Sequence, residues 1–128
     1  MVSEVTQGVR VTVNTLYQPE YSQPSRDHYV FTYRIVIENG SAYTVQLLRR
    51  RWHIFEGTGI RREVEGEGVL GQQPVLEPGE RHEYVSGCNL RSSMGKMLGL
   101  YDMIRIVDGK EFTVAIPEFT MIVPFRLN

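Results

Sequence analysis

The sequence predicts an all-β protein, an antiparallel sandwich or barrel of about seven to nine strands. Three observations support this prediction. Apolar and polar residues alternate in several segments of the length typical of strands, roughly 5 to 10 residues. Turn-forming residues, 12 Gly and 6 Pro, separate these segments. No segment shows the 3.6-residue apolar period of a convincing amphipathic helix.

The first half of the chain contains the clearest strand patterns. Apolar residues alternate with polar ones from Val9 to Thr15, which predicts a half-buried strand. A loop with two prolines follows from Tyr17 to Asp27, and the longest predicted strand runs from Tyr29 to Glu38. The pair Asn39-Gly40 closes that strand, and both residue types tolerate a positive φ.

The next predicted strand, Val45 to Phe55, has an unusual pattern. Leu48, Trp52 and Ile54 share a face, which should be the core face, but Arg50 lies on it too. Either a β-bulge rotates the strand, or Arg50 lies near the rim of the sandwich and extends outward along its aliphatic stem.

The second half continues the β pattern. Its predicted elements are a strand at Ile60–Glu65, a strand at Arg81–Val85, a connection with about one helical turn at Ser92–Lys96, a strand at Met97–Val107, a hairpin turn at Asp108-Gly109, a strand at Glu111–Ile116 and, after a break at Pro117, a strand at Phe119–Val123. Because the chain has no repeat or linker, we expect one domain over residues 1–128.

Composition excludes several classes of protein. The formal net charge is -1, from 14 basic and 15 acidic residues, so no overall positive field favours nucleic acid. Cys88 is the only cysteine, which rules out an internal disulfide. The N-terminus lacks signal-peptide features, and no apolar stretch approaches the ~18 residues of a membrane span. We therefore expect a cytoplasmic protein without a membrane partner.

Residues Gly66–Gly71 spell G-x-G-x-x-G, the pattern of dinucleotide-binding turns. That chemistry requires a helix directly after the turn, because the helix N-terminus holds the pyrophosphate. Here the following residues include Pro74 and Pro78 and cannot form the first turns of a helix. The favoured interpretation is structural: the glycines permit positive φ, a bulge or close strand approach.

A weaker alternative remains for the same segment. Consecutive glycine-rich amides can hold an anion without a helix, and nearby arginines can supply charge. The candidate residues of this nucleotide- or pyrophosphate-binding site are Gly66, Gly68, Gly71, Arg50, Arg61 and Arg62.

No catalytic or metal centre is predicted. Cys88 as a nucleophile would need a base, but His28, His53 and His82 are far apart in sequence and form no recognisable dyad. The same three histidines lack the short spacings of a metal site. We therefore expect no cofactor, and a buried or half-buried structural thiol at Cys88.

Two surface features are candidates for contacts with macromolecules. The basic cluster Arg49–Arg51, beside Trp52 and His53, could touch nucleic acid, but alternation divides it over two faces, so a solvated face with salt bridges is favoured. Soft apolar side chains after the glycine-rich stretch suit an adaptable partner surface, and the candidates are Met94, Met97, Leu98 and Leu100.

The chain as a whole resembles the ApaG family, also called the DUF525 domain. The residues that carry the resemblance are Arg50-x-Trp52, Gly66-x-Gly68-Val69-x-Gly71-x-Gln73-Pro74, Leu76-x-Pro78-Gly79, Tyr84, Ser86-Gly87-Cys88, Gly95-x-Met97-x-Gly99-x-Tyr101 and Phe112-x-Val114-x-Ile116-Pro117. The resemblance implies an immunoglobulin or fibronectin type III-like sandwich. It also implies a family linked to cobalt resistance and magnesium efflux, whose related domains look like modules for protein–protein contacts.

The resulting functional hypothesis is a non-enzymatic binding module that mediates a protein–protein interaction. The alternative is a protein that binds a nucleotide or pyrophosphate through the Gly66–Gly71 loop. The resemblance also implies this alternative, because the family's glycine motif has prompted suggestions of such binding. Direct binding of cobalt or magnesium has the weakest support, because no ligand cluster is visible in the sequence.

Overall fold

The computed structural model describes residues 1–127, with side chains to residue 125, and this part of the chain forms nine strands. They are β1 (Val2–Thr6), β2 (Val9–Tyr17), β3 (Tyr29–Asn39), β4 (Val45–Glu56), β5 (Arg61–Glu67), β6 (Val75–Leu76), β7 (Arg81–Leu90), β8 (Met94–Arg105) and β9 (Glu111–Ile122). Short 3-10 turns lie at Pro19–Tyr21, Pro24–Arg26 and Pro124–Leu127. Within residues 1–127, no helix has the length and apolarity that a bilayer crossing requires.

The strands form two antiparallel sheets that pack face to face, which confirms the predicted sandwich. One sheet has the order β1-β2-β3-β7 and the other β5-β4-β8-β9, with β6 also paired to β4. On one side β1 and β2 contact β9, and the Ala115 N–H donates to Thr6 Oγ1 at 3.1 Å. On the other side the sheets end in the unpaired edges of β5 and β7. The sandwich is therefore closed along β1–β9 and open along β5–β7.

The core lies between the inner faces of the two sheets. The alternating residues that predicted β2 and β3 are buried there, as their period of two requires. At the centre, the Trp52 ring packs edge-on against Phe119 with centroids 5.9 Å apart, and against Tyr33 at 5.6 Å. These edge-to-face contacts add to the stabilisation that burial of the rings provides.

A β-bulge in β4 resolves the ambiguity at Arg50. The pairing of β4 with β8 shifts register between Leu47 and Arg49. Leu47 and Trp52, five positions apart, are consequently both buried, whereas Leu48 is only half-buried. The bulge interpretation is therefore correct, and Arg50 keeps the inward orientation of Trp52.

The N-terminal strand β1 was not predicted, because Val2 and Val5 do not alternate. It pairs with β2 through a two-residue loop in which Gln7 has φ 47° and Gly8 has φ 84°. Both values are positive, as in the type I′ turns that connect tight hairpins. The sequence feature that could have predicted this hairpin is Gly8, which directly precedes the alternating segment of β2.

Two expectations for the second half were wrong. The segment Ser92–Lys96 contains no helical turn, because β8 already begins at Met94. Pro117 does not end a strand either, since β9 continues through it to Ile122. The β8–β9 pairing shifts register between Met97 and Gly99, opposite Pro117, and β9 lies at a sheet edge. Bulges and edge strands are the places where a sheet tolerates a residue without an N–H.

Asn39 has a different role from the predicted turn former. Neither Asn39 nor Gly40 has a positive φ. The Asn39 side chain is buried, and its Nδ2 donates to the carbonyls of Tyr43 at 2.7 Å and Leu76 at 2.9 Å. It thereby ties the end of β3 to β6, and its polar atoms are satisfied in the interior.

Candidate functional site

A polar cleft runs along the open side of the sandwich, between β5 and β7. We define this inter-sheet cleft by Tyr33, Arg50, Trp52, Ser86 and Cys88. It contains two neighbouring cavities of about 250 Å³ and about 490 Å³, which share the first four of these residues. Its lining includes many of the residues on which the resemblance to the ApaG family rests. These residues come from β4, β5, β7 and β8 and from the glycine-rich turn.

Arg50 is the central charge of the cleft. Its Nη1 donates to the carbonyl oxygens of Glu67 at 3.1 Å and Gly68 at 3.0 Å. A Cβ at Gly66 would lie 2.7 Å from this guanidinium nitrogen, so any larger residue there would displace the Arg50 guanidinium from this position. The guanidinium thus satisfies carbonyls at the end of an edge strand, so these groups are not free to pair with another strand.

The glycine-rich turn uses its amides internally. The Gly68 N–H donates to the Leu48 carbonyl at 2.8 Å, and Val69 and Gln72 exchange hydrogen bonds at 2.8 and 2.9 Å. Gly68 and Gly71 have φ values of +59° and +76°, and the next regular element is strand β6. The structural interpretation of these glycines is confirmed. The amides of Gly68, Val69 and Gln72 already have partners, so the turn does not present them as a free anion nest.

The structure separates the arginines predicted to accompany this turn. Arg61 lies on the outer face of β5, pairs with Glu63 at 3.1 Å and lies over the Phe55 ring. Arg62 faces the other way and donates to Cys88 Sγ at 3.8 Å and to the Asn89 carbonyl. Arg50 alone of the three lies against the turn, so Arg61 and Arg62 do not join Gly66, Gly68 and Gly71 in one site.

Burial keeps the tyrosine hydroxyls in the cleft, and that of Tyr101 beneath it, protonated. It raises the pKa of Tyr33, Tyr84 and Tyr101, whereas the nearby Arg50 charge lowers these pKa values by a smaller amount. The hydroxyls of Tyr84 and Tyr101 are hydrogen-bonded to each other. Such groups bind and orient a ligand, but they are poor general bases at neutral pH.

Burial also raises the pKa of the Cys88 thiol, although Arg62 partly opposes the shift. A thiol is a weaker nucleophile than a thiolate, which favours a structural role. The His53 imidazole lies 3.4 Å from the Glu63 carboxylate on the outer sheet face, and the His82 ring lies 6.2 Å from the ring of Tyr84. Among the described residues, no three His, Cys, Asp or Glu side chains are grouped to hold a metal.

The predicted partner surface is only partly exposed. Met97 is 2% exposed and belongs to the core, so its predicted place on the surface is wrong. Side chains alternate between the two faces of β8, and Met97 is on the face that points between the sheets. Leu98 and Leu100 are half-buried on the outer face, and Met94 is 42% exposed.

Met94 borders an apolar depression of about 230 Å³ that sequence reasoning missed. Its other main walls are Phe55 and Ile122, which come from β4 and β9. Gly57 leaves room for the Met94 side chain, because a Cβ there would lie 2.8 Å from Met94 Cγ and displace it. The depression joins three strand ends, and no single segment of sequence contains its pattern.

The basic cluster of β4 behaves as the favoured interpretation predicted. Arg49 pairs with Glu65 at 3.2 Å and Arg51 with Asp102 at 2.8 Å on the outer sheet face. Both pairs are partly exposed, and such pairs contribute little to stability. Arg50, between them, points into the cleft instead.

The fold and the cleft define the class: a two-sheet antiparallel β-sandwich with one open, polar side. Residues 19–105 match the ApaG domain, DUF525, and the chain belongs to this family. The ApaG protein of Brucella canis is 46% identical over 124 residues, covering 97% of this chain and 95% of that protein. The ApaG protein of Anaeromyxobacter dehalogenans is 45% identical over 128 residues, the full length of both.

A solved structure agrees with this assignment. A crystal structure from Bordetella pertussis, described as an ApaA protein, superposes with a TM-score of 0.88 at 42% identity. The match covers 91% of this chain and 94% of that one.

Proposed function

We propose that this protein is a non-enzymatic binding module that engages another protein at the end of the sandwich where β4, β8 and β9 meet. The observation that carries the proposal is the apolar depression formed by Phe55, Met94 and Ile122. An exposed methionine at its rim provides a soft, adaptable contact of the kind found at protein interfaces. The raised thiol and phenol pKa values described above also favour binding over acid–base or nucleophilic chemistry.

The cellular setting is part of the same proposal. The resemblance to a family linked to cobalt resistance and magnesium efflux makes that process the first place to look for the partner. We propose a cytoplasmic location, because the cytosol keeps thiols reduced and the single cysteine of this chain is free.

Capture of partners from an extract of the native host tests the proposal. Wild-type protein should retain a partner that Met94→Ser releases, because the substitution removes the apolar contact. Val107→Ser is the matched control, since Val107 is 76% exposed in the hairpin at the opposite end of β8. The melting temperature of both variants should stay within about 2 °C of wild type, as expected for exposed positions. Equal capture by all three proteins would refute the proposed surface.

The alternative function keeps one specific observation in its favour. The cavity of about 250 Å³ in the cleft is lined by Gly66, Gly71 and Arg50, so a small phosphate-bearing ligand would meet a guanidinium there. Titration with pyrophosphate and ATP, with and without magnesium, followed by amide NMR shifts, tests this alternative. Saturable shifts at Gly66–Gly71 that Arg50→Met abolishes would support it. Absence of shifts at millimolar ligand would refute it.

A further inference from the structure

A second, basic pocket lies beside the apolar depression, and the structure builds it from distant parts of the chain. We define the basic pocket by Arg26, His28, Arg62 and Arg91, which surround a cavity of about 540 Å³. Arg26 ends the second 3-10 turn, Arg62 belongs to β5 and Arg91 follows β7. The three arginines are exposed and His28 is half-buried, so solvent reaches all four side chains.

These arginines differ from most others in the protein. Within residues 1–125, six arginines form salt bridges: Arg10, Arg34, Arg49, Arg51, Arg61 and Arg105. By contrast, Arg26, Arg62 and Arg91 form no salt bridge with any carboxylate of residues 1–125. A pocket that gathers three such guanidinium groups favours an anionic occupant.

Two carboxylates also line the basic pocket, and they limit its charge without removing it. Glu56 is only 8% exposed, and its Oε1 accepts the backbone N–H of Arg91, so it holds the Arg91 loop in place. Asp27 lies in the left-handed region at φ 51°, directly after Arg26. The pocket thus presents three guanidinium groups and an imidazole against these two acids.

The basic pocket and the apolar depression lie next to each other, on either side of the β4–β5 turn. Glu56 lines both, and the turn between them is anchored because the Gly57 N–H donates to Ser92 Oγ at 3.0 Å. One partner seated on this end of the sandwich would therefore meet an apolar surface on one side of the turn and positive charge on the other. Such complementarity selects partners and accelerates association.

We infer that the partner presents an acidic segment, rich in Asp or Glu, to the basic pocket. This inference rests on the proposed function, because it names the chemistry of the partner for the same end of the molecule. Partly exposed guanidinium–carboxylate pairs weaken with salt, so the contact should be salt-sensitive.

Fluorescein-labelled hexaglutamate, with hexaglutamine as the neutral control, tests the inference directly by fluorescence polarisation at low salt. Hexaglutamate should bind more tightly and shift the amide NMR signals around Arg26 and Arg91. Arg26→Gln and Arg91→Gln should each weaken binding roughly two- to fivefold, the range of partly exposed ion pairs. Arg10→Gln is the matched control, since it removes the same charge on β2, opposite Glu38 and at the far end of β3 from the basic pocket. Equal binding of both peptides, or equal loss in Arg10→Gln, would overturn the inference.

Pyrophosphate serves as a competitor. If it displaces hexaglutamate and shifts the same amides at a lower concentration, the pocket suits a phosphate-bearing ligand and the inference of an acidic protein segment is wrong.

The tests of the two proposals give separable results. If Met94→Ser releases the captured partner but the double change Arg26→Gln with Arg91→Gln does not, the interface stands and the acidic segment is refuted. If the arginine changes abolish both hexaglutamate binding and capture while Met94→Ser has no effect, the acidic contact stands without the apolar surface.

Discussion

Replacing Gly68 with Ala, and comparing it with the same change at Gly71, tests whether steric demands explain the glycine-rich turn. A Cβ at Gly68 would lie 2.1 Å from the carbonyl oxygen of Gln72. Carbon and carbonyl oxygen normally stay roughly 3.3 Å apart, so the turn would have to open by about 1 Å. At Gly71 the φ is also positive, at +76°, but a Cβ would meet no atom within 4 Å.

The two substitutions therefore differ in cost. A left-handed conformation costs a residue with a Cβ about 1–2 kcal/mol, and the smaller entropy of the unfolded alanine chain offsets about 0.4–1 kcal/mol of this. We expect Gly71→Ala to destabilise the protein by about 1 kcal/mol. Gly68→Ala also disrupts the hydrogen bonds of Gly68 to Leu48 and of Val69 to Gln72, each about 1 kcal/mol, for a total of about 3 kcal/mol.

Urea unfolding followed by the fluorescence of Trp52, the only tryptophan, measures both values. A difference of about 2 kcal/mol between the variants is the expected result, since it equals the two disrupted hydrogen bonds. Equal destabilisation, or a larger loss at Gly71, would refute the steric explanation. Amide NMR spectra of the folded variants would show whether the perturbation stays within the turn.

Three further predictions follow from burial and charge. Trp52→Ala should cost about 3–5 kcal/mol in urea unfolding, because Trp52 is 3% exposed between the sheets, and a loss below about 1 kcal/mol would contradict its core position. Cys88 should react with iodoacetamide at neutral pH at least about tenfold more slowly in the native than in the unfolded protein, because burial raises the pKa of its thiol; equal rates would contradict this. The hydrogen bonds from Arg105 lower the pKa of Asp108 to about 2, so their stabilisation is fully present above the carboxyl's ordinary pKa and is lost progressively as the pH falls from there through about 2. In carbon-detected NMR titrations Arg105→Gln should raise that pKa, and an unchanged value would exclude the ion pair as its cause.

The sequence predicted an element correctly where the residues of that element alone determine its structure. Strands β2 and β3 have one face in the core and one towards solvent, and this geometry imposes the alternation from which they were predicted. The glycine-rich turn was equally readable, because Pro74 and Pro78 exclude a helix whatever the rest of the chain does. Pro117 was misread for the complementary reason: whether a proline ends a strand depends on the strand's place in the sheet, which a single segment does not specify.

The candidate sites depended on contacts between distant segments. Alternation placed Arg50 on the inner face, but only the bulge opposite β8 and the open β5–β7 side give its guanidinium a place beside the glycine-rich turn. Met94 and Met97 look alike in sequence, yet Met94 is exposed and Met97 is in the core. They are three positions apart in β8, so their side chains point to opposite faces of the strand.

By itself the sequence determined the class of fold, the family resemblance and the bend at Gly66–Gly71, because side-chain periodicity and backbone restrictions act over a few residues. The tertiary structure decided which distant residues meet. Arg26, Arg62 and Arg91 surround one pocket, and Phe55, Met94 and Ile122 another, only because strand pairing and sheet packing bring these positions together. Those pairings are set by long-range contacts, which leave no local pattern in the chain.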